Sequence, residues 1–328
     1  MIRRVLLVAA APLLAVVAVG PMLDRLARRM TQAPRRLPEE AGLGPTLDGL
    51  GGEVVRFRSR DGVRLVGRWV PADPAPGAGD WAMDPREAIL LLHGYNGSIA
   101  PDLVELGPFL RRTASVLGLD FRGHGASDDG PTTFGLLEVE DVAGALAFLV
   151  ERGVRRVALV GSSMGGITAI AAVAVLGDGR LAAADADPAA PAATVAAPRP
   201  RIVGVVADSV TPELAVIVGN RLAMPLGRRI AGRAFGRFDR LVGGDPRTTE
   251  PLAVIGLLED VPLLLVHGED DRTVPIGEAM RLAAAAPVGS RHLVIRGADH
   301  GAGHRTDPRA YEAAVTGLLR EAFMAART

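Results

Sequence analysis

The feature that most constrains this chain is the passage from Val157-Ala-Leu-Val160 through Gly161-Ser162-Ser163-Met164-Gly165-Gly166 into an Ala-rich stretch. An apolar strand that runs directly into a helix through Gly-x-Ser-x-Gly leaves Ser163 at the apex of a sharp turn. The glycines follow from that geometry, because side chains at Gly161 and Gly165 would collide with neighbouring backbone. The turn holds the Ser163 hydroxyl above the sheet, beside the unpaired N–H groups and positive dipole end of a helix beginning at Met164. A glycine-rich helix start is the plainer reading of the same letters. The strand directly before it favours a nucleophile at Ser163 rather than at Ser162.

From Glu53 onward, short apolar runs alternate with helical patterns, as in an α/β domain whose strands are joined by crossover helices. Residues 54–58 and 63–70, separated by Asp61-Gly62, predict an antiparallel hairpin that opens the sheet. Residues 89–92, 115–120, 156–160 and 202–207 are continuous apolar runs, expected of parallel strands covered on both faces. Residues 262–266 and 292–295 complete the set. Helices are predicted over 101–112, 137–152, 164–176, 277–285 and 308–325. Hydrophobic residues make up 48% of the chain and aromatics only 4%, so the core is built of small and branched aliphatics. Two insertions interrupt the pattern. The Ala/Pro/Asp tract 177–200 is expected to be a flexible surface loop. Residues 211–260, with Arg221, Arg228, Arg229, Arg233, Arg237 and Arg240, are expected to form a short, partly helical cap over the strand ends. The arginines read either as a solvated helix face or as a surface for an anionic membrane or substrate.

The N-terminus carries a separate signal. Residues 5–20 are almost wholly apolar, interrupted only by Pro12, and Pro21, Met22 and Leu23 extend the run between Arg3-Arg4 and Arg25, Arg28 and Arg29. A run of about 19 residues approaches the ~20 that span a bilayer. A cleavable signal peptide shares this pattern, but Ala18 and Gly20 lead straight into Pro21, which blocks processing there. A soluble core helix would be expected to show a polar face. The expected organisation is a membrane anchor over 1–30, a linker over 31–51 rich in Pro, Gly and charge, and an α/β domain over 52–328. Arginines on both flanks leave the side of the membrane open, and an exported soluble protein is the alternative. The 37 basic and 37 acidic residues cancel, so no field favours nucleic acid. The absence of cysteine excludes thiol nucleophiles, disulfides and Cys-based metal sites. Nothing in the sequence sets an oligomeric state.

A serine nucleophile needs a base, then an acid to orient that base. His300, in Arg296-Gly-Ala-Asp-His300-Gly, follows the last predicted strand directly, and His304 is its rival. Glu269, Asp270 and Asp271 follow the penultimate strand, and any of them sits where an orienting acid is needed; Asp208, after an earlier strand, is a further possibility. An oxyanion needs N–H donors. The turn His93-Gly94-Tyr95-Asn96-Gly97 ends an early strand, and the backbone N–H of Tyr95 is expected to pair with that of Met164. His93, preceding Gly94, is expected to hold the loop by hydrogen bonding rather than to act as a base.

These ordered motifs resemble the α/β-hydrolase superfamily, close to the bacterial membrane-anchored hydrolases grouped with serine aminopeptidase-like and lipase-like proteins. The resemblance covers the chain from about Val54 onward. His93-Gly94-Tyr95-Asn96-Gly97 is similar to the family's oxyanion turn, and Asp120-Phe-Arg122-Gly123-His-Gly125-Ala-Ser127 to its Asp-x-Arg-Gly-x-Gly-x-Ser loop. His267-Gly268-Glu-Asp-Asp271-Arg-Thr-Val274-Pro275 matches its acid segment and so implies Asp271. Gly297-Ala-Asp-His300, followed by Asp307-Pro308-Arg-Ala-Tyr311, implies His300. The implied fold is a mostly parallel sheet flanked by helices, with a short helical cap and an N-terminal transmembrane helix. The implied activity is hydrolysis of an ester or related acyl bond by Ser163, Asp271 and His300, on a small-molecule or lipid-like acyl substrate. No metal or organic cofactor is implied. A peptidase, or a non-catalytic membrane-tethered binding protein of the same fold, is the alternative.

Overall fold

The strands are β1 (Glu53–Arg58), β2 (Arg64–Val70), β3 (Glu87–Leu92), β4 (Ser115–Asp120), β5 (Arg156–Ser162), β6 (Arg201–Asp208), β7 (Leu263–Gly268) and β8 (Arg291–Ile295). They form one sheet in the order β1-β2-β4-β3-β5-β6-β7-β8. The structure is a computed structural model that describes residues 20–32, 42–73, 81–95, 97–177, 199–222 and 227–328. The β1–β2 hairpin is antiparallel, with Phe57 opposite Leu65, and β2 meets β4 antiparallel. Every pair from β4 through β8 is parallel.

Helices flank both faces. They are α1 (residues 20–30), α2 (Gly44–Gly49), α3 (Ala100–Leu110), α4 (Glu138–Glu151), α5 (Met164–Leu176), α6 (Leu214–Leu222), α7 (Gly227–Phe235), α8 (Phe238–Val242), α9 (Pro251–Val254), α10 (Ile276–Ala285), α11 (Gly303–Thr306) and α12 (Pro308–Arg327). The apolar runs read as doubly covered strands are so: Ala88, Leu90 and Leu92 of β3 join the core under α4 and α5, while Ile89 and Leu91 join the core under α3 and α12. Helix α5 is buried along nearly its whole length, and its small residues Gly165, Gly166, Ala169, Ala171, Ala172 and Ala174 let it lie close to the sheet. That is why its sequence lacks a polar stripe.

Strand order reverses between β3 and β5, because the chain leaves β3 toward β4 and later returns to the other side of β3 as β5. In open α/β sheets the crevice at the carboxyl ends of two such strands is where ligands bind. Here it is bounded by the His93-Gly94-Tyr95 turn after β3 and by Ser163 after β5.

The 211–260 insertion is partly helical, as expected, comprising α6, α7, α8, α9 and two 3₁₀ turns. Its arginines divide. Arg228 pairs with Glu278 at 2.6 Å and Arg237 with Asp24 at 3.4 Å, while Arg229, Arg233 and Arg240 face solvent. Residues 178–198 of the Ala/Pro tract lie outside the described residues.

So does the apolar run over residues 5–20, except for Gly20. Among the described residues no helix is long and apolar enough to cross a membrane. Residues 20–30, counted in the sequence reading with the anchor, are α1, whose Leu23, Ala27 and Met30 sit in the same core as α5. Arg25, Arg28 and Arg29 occupy its exposed face. The following residues are tied down as well, since the N–H of Thr132 donates to the carbonyl of Thr31 at 3.0 Å.

Candidate active site

Among the described residues, Ser163 is one of three non-glycine residues with positive φ, at φ 50° and ψ −112°. A serine at a helix N-cap ordinarily turns its hydroxyl back onto the first-turn N–H groups. The strained backbone of Ser163 prevents this, and its hydroxyl makes no cap bond. The elbow is clamped from three sides. The N–H of Ser163 donates to the carbonyl of Asp208 at 2.8 Å. A Cβ on Gly165 would lie 2.1 Å from the carbonyl oxygen of Leu92, and one on Gly161 would lie 2.3 Å from the carbonyl carbon of Gly165. Glycine at both positions is therefore a steric requirement of the elbow.

The structure brings Ser163, His300 and Asp271 together. The Ser163 Oγ lies 2.9 Å from His300 Nε2, and His300 Nδ1 lies 2.7 Å from Asp271 Oδ2. The carboxylate acceptor calls for a proton on Nδ1, which leaves the Nε2 lone pair to accept from the serine hydroxyl. Asp271 is buried, and its other oxygen accepts the N–H groups of Thr273 and Val274, each at 2.8 Å. Its rivals have other occupations. Glu269 and Asp270 are exposed. The buried Asp208 accepts from the Ser209 hydroxyl at 2.9 Å and the Tyr311 hydroxyl at 3.1 Å, and burial raises its pKa. The second candidate base, His304, is stacked on Phe109 and paired with Glu105 and Glu312.

One support of the histidine escaped the sequence reading. Asp299 Oδ1 accepts the N–H groups of both Arg272 (3.1 Å) and His300 (2.8 Å), and its Oδ2 accepts from the Arg272 guanidinium at 2.7 Å. The loop bearing Asp271 and the loop bearing His300 are thereby cross-linked by the adjacent pair Arg272–Asp299. The Arg272 N–H, with the His300 N–H and the Arg272 side chain, lowers the Asp299 pKa to about 2. The signal available in the sequence was an acid beside the histidine and a base beside Asp271. Ser209, at φ 55°, adds a second tie by accepting the N–H of Gly301 at 2.9 Å.

Gly94 sits directly over the elbow: a Cβ there would be 3.6 Å from that of Ser163. Gly94, directly before Tyr95, and the helix start at Met164 thus border the serine, and Tyr95 and Met164 line one cavity with it. His93 is buried, and burial, with His124 beside it, lowers its pKa to about 3. It is a neutral fastener: Nε2 accepts from the Phe121 N–H at 3.1 Å and Nδ1 donates to the Gly94 carbonyl at 2.6 Å. The Asp120–Ser127 loop holds the same turn from behind. The Asp120 carboxylate accepts the Ile99 and Ala126 N–H groups at 2.8 and 2.9 Å, and the N–H of Gly125 donates to the carbonyl of Gly97 at 3.1 Å. A side chain at Gly125 would strike that carboxylate at 2.2 Å. Arg122, buried in the same loop, bridges Asp141 (2.7 Å) and Asp61 (2.8 Å), so Asp61 does more than turn the hairpin.

A cavity of about 200 Å³ opens beside Ser163. Tyr95, Phe134, Met164 and Ile167 line it from the domain, Ile217 and Val218 from α6, and Leu26 and Met30 from α1, with Arg29 and Thr273 also on its lining. Its wall is mainly apolar and carries no carboxylate among the described residues. Also among the described residues, no group of three or more His, Asp or Glu side chains is placed to hold a metal ion.

A mostly parallel eight-stranded sheet, helices on both faces and a serine elbow at the strand-order reversal define the α/β-hydrolase fold. Residues 89–314 match the alpha/beta hydrolase family, and the chain belongs to that family. It is 26% identical over 266 residues to the uncharacterized protein YfhR of Escherichia coli O157:H7, spanning 80% of this chain and 78% of that one. Among solved structures, the esterase Pf2001 of Pyrococcus furiosus superposes with a TM-score of 0.60 at 21% identity, over 89% of this chain and 98% of that one. An alpha-beta hydrolase from Vibrio vulnificus does so with a TM-score of 0.60 at 21% identity, over 90% and 94%.

Proposed function

We propose that the protein is a serine hydrolase that cleaves a carboxylic ester through an acyl-enzyme on Ser163. The observation that carries this reading is the continuous hydrogen-bonded relay from the Ser163 hydroxyl through His300 to the buried Asp271. Ser163 Oγ attacks the ester carbonyl while His300 Nε2 takes its proton. The backbone N–H groups of Tyr95 and Met164 hold the oxyanion, and the alcohol leaves with the proton from His300. Water, deprotonated by His300, then attacks the acyl-enzyme and releases the acid. Asp271 keeps the imidazole in the required tautomer and stabilises the imidazolium.

An ester is favoured over a peptide because the cavity beside Ser163 is apolar and, among the described residues, carries no carboxylate to clasp a free N-terminus. The esterase neighbour supports the same choice. The apolar run over residues 5–20 would tether the domain to a membrane, consistent with a lipid-like acyl substrate and with the lipase-like or serine aminopeptidase-like grouping. The defining experiment is fluorophosphonate labelling together with hydrolysis of a short activated ester by the full chain and by Ser163→Ala. Loss of both in the variant is expected. Undiminished labelling of Ser163→Ala would sink the assignment, and a folded wild-type protein inert to both reagents would favour the non-catalytic binding protein. Recovery of the full chain in the membrane fraction after a high-salt wash is the matching test of the tether.

A further inference from the structure

We propose that α1, a segment N-terminal to the matched family residues 89–314, is a specificity wall of the acyl pocket, and that Leu26 and Met30 set the longest acyl chain the site accepts. The inference rests on the reading of Ser163 as the nucleophile. Three observations carry it. Leu26 and Met30 line the same cavity as Ser163 and Met164, facing Ile217 and Val218 of the cap. The helix is held there rather than resting loosely, with Leu23, Ala27 and Met30 in the main core, Asp24 paired with Arg237 of the cap, and Thr31 bonded to Thr132. Finally, about 200 Å³ is small against the ~300–1,000 Å³ typical of pockets for drug-sized ligands. A pocket of that size takes a short, unbranched apolar chain, and α1 is the wall against which a longer one would collide.

An apolar pocket discriminates by methylene count, each being worth about ten-fold or more in rate where the wall stands firm. The side chain at Leu26 therefore tunes the cut-off in both directions. Leu26→Trp shortens the accepted chain and Leu26→Ala lengthens it, while the smallest substrate, which does not reach the wall, reacts at the wild-type rate. Opposite shifts from two substitutions at one position are not what simple destabilisation of the helix would give.

The test measures labelling rates with a series of alkyl fluorophosphonates from ethyl to dodecyl on the full-length protein. In each reaction Ser163 Oγ forms the O–P bond, fluoride leaves, and His300 takes the hydroxyl proton. The readout is the rate with the long reagent divided by the rate with the short one. Leu26→Trp is expected to lower this ratio about ten-fold or more and Leu26→Ala to raise it, with the ethyl reagent close to unchanged in both. Arg28→Ala, on the exposed face of the same helix, is expected to leave the ratio as in the wild type. Identical ratios in all four proteins, with Ser163 still labelled, would overturn the wall while leaving the nucleophile intact. A shift in Arg28→Ala equal to that of Leu26→Trp would overturn it too. A wild-type protein that no reagent labels removes both the nucleophile and the wall that depends on it.

Discussion

Replacing Asp271 with asparagine separates orientation of the histidine from integrity of the fold. Asp271 Oδ1 accepts two backbone N–H groups at 2.8 Å, and Oδ2 accepts His300 Nδ1 at 2.7 Å. In Asp271→Asn the amide oxygen must stay on the Thr273 and Val274 N–H groups, because an NH₂ there would face two donors. The NH₂ is then presented to His300 Nδ1. To accept from it, the imidazole moves its proton to Nε2, and the nitrogen facing Ser163 becomes a donor, unable to take the serine proton. Imidazolium stabilisation is lost at the same time. Wrong-tautomer substitutions of this kind lower kcat about 10⁴-fold, or ~5 kcal/mol in the barrier. Stability falls by only ~1 kcal/mol, since both backbone bonds persist. The assay is kcat on an activated ester, with thermal unfolding of the same sample. A kcat within about ten-fold of wild type would refute the assignment of Asp271. Asp208→Asn is the comparison: its partners are Ser209 and Tyr311, so it is expected to alter stability far more than kcat.

Other consequences follow from neighbouring groups. His304→Ala is expected to retain kcat within about three-fold, because its ring is engaged with Phe109, Glu105 and Glu312 away from the serine, whereas His300→Ala removes the ring that faces Ser163 Oγ and serves as general base in the proposed mechanism. Arg122→Met takes the guanidinium from the fully buried Asp141, leaving it only the N–H of residue 122, and is expected to cost ~3–5 kcal/mol in urea unfolding; a loss below ~1 kcal/mol would show the pair to be dispensable. Burial raises the Glu250 pKa to about 7, above its ordinary 4.5, so its contribution to stability is present at acid pH and is lost as pH rises through about 7. Glu250 is partly exposed, so the drop across that window is on the order of 1–2 kcal/mol, and Glu250→Gln is expected to abolish it in pH-dependent thermal melts.

The strands and the Ser163–His300–Asp271 set were legible because their requirements are local. A strand covered on both faces must be apolar throughout, and an elbow that approaches the Leu92 carbonyl must have glycine at 165. Chain order then limited the acid and base to loops after strands, and the family motif selected Asp271 among three adjacent acids. Ties between distant loops were not legible. Arg272 and Asp299 stand 27 positions apart, and their pairing depends on β7 lying beside β8. The same holds for Asp61 and Arg122, where a turn-forming Asp-Gly pair masked the role of the carboxylate.

The pocket is the hardest part to read, and the reason is physical. Catalytic groups are polar residues placed at turns, so they stand out against an apolar chain. The pocket wall is made of Leu26, Met30, Phe134, Ile217 and Val218, drawn from segments far apart in sequence, and each is of a type that core packing would equally require. Residues 20–30 make the point. Merged with the preceding apolar run they extend a membrane anchor, yet Leu23, Ala27 and Met30 recur at helical spacing, with Arg25, Arg28 and Arg29 on the other face. The arginines interrupt the run at intervals that keep one face apolar, which a bilayer-spanning segment does not need and a helix lying on a protein surface does. An amphipathic helix that lines the cavity beside Ser163 is therefore visible in the sequence once residues 20–30 are separated from the apolar run before them.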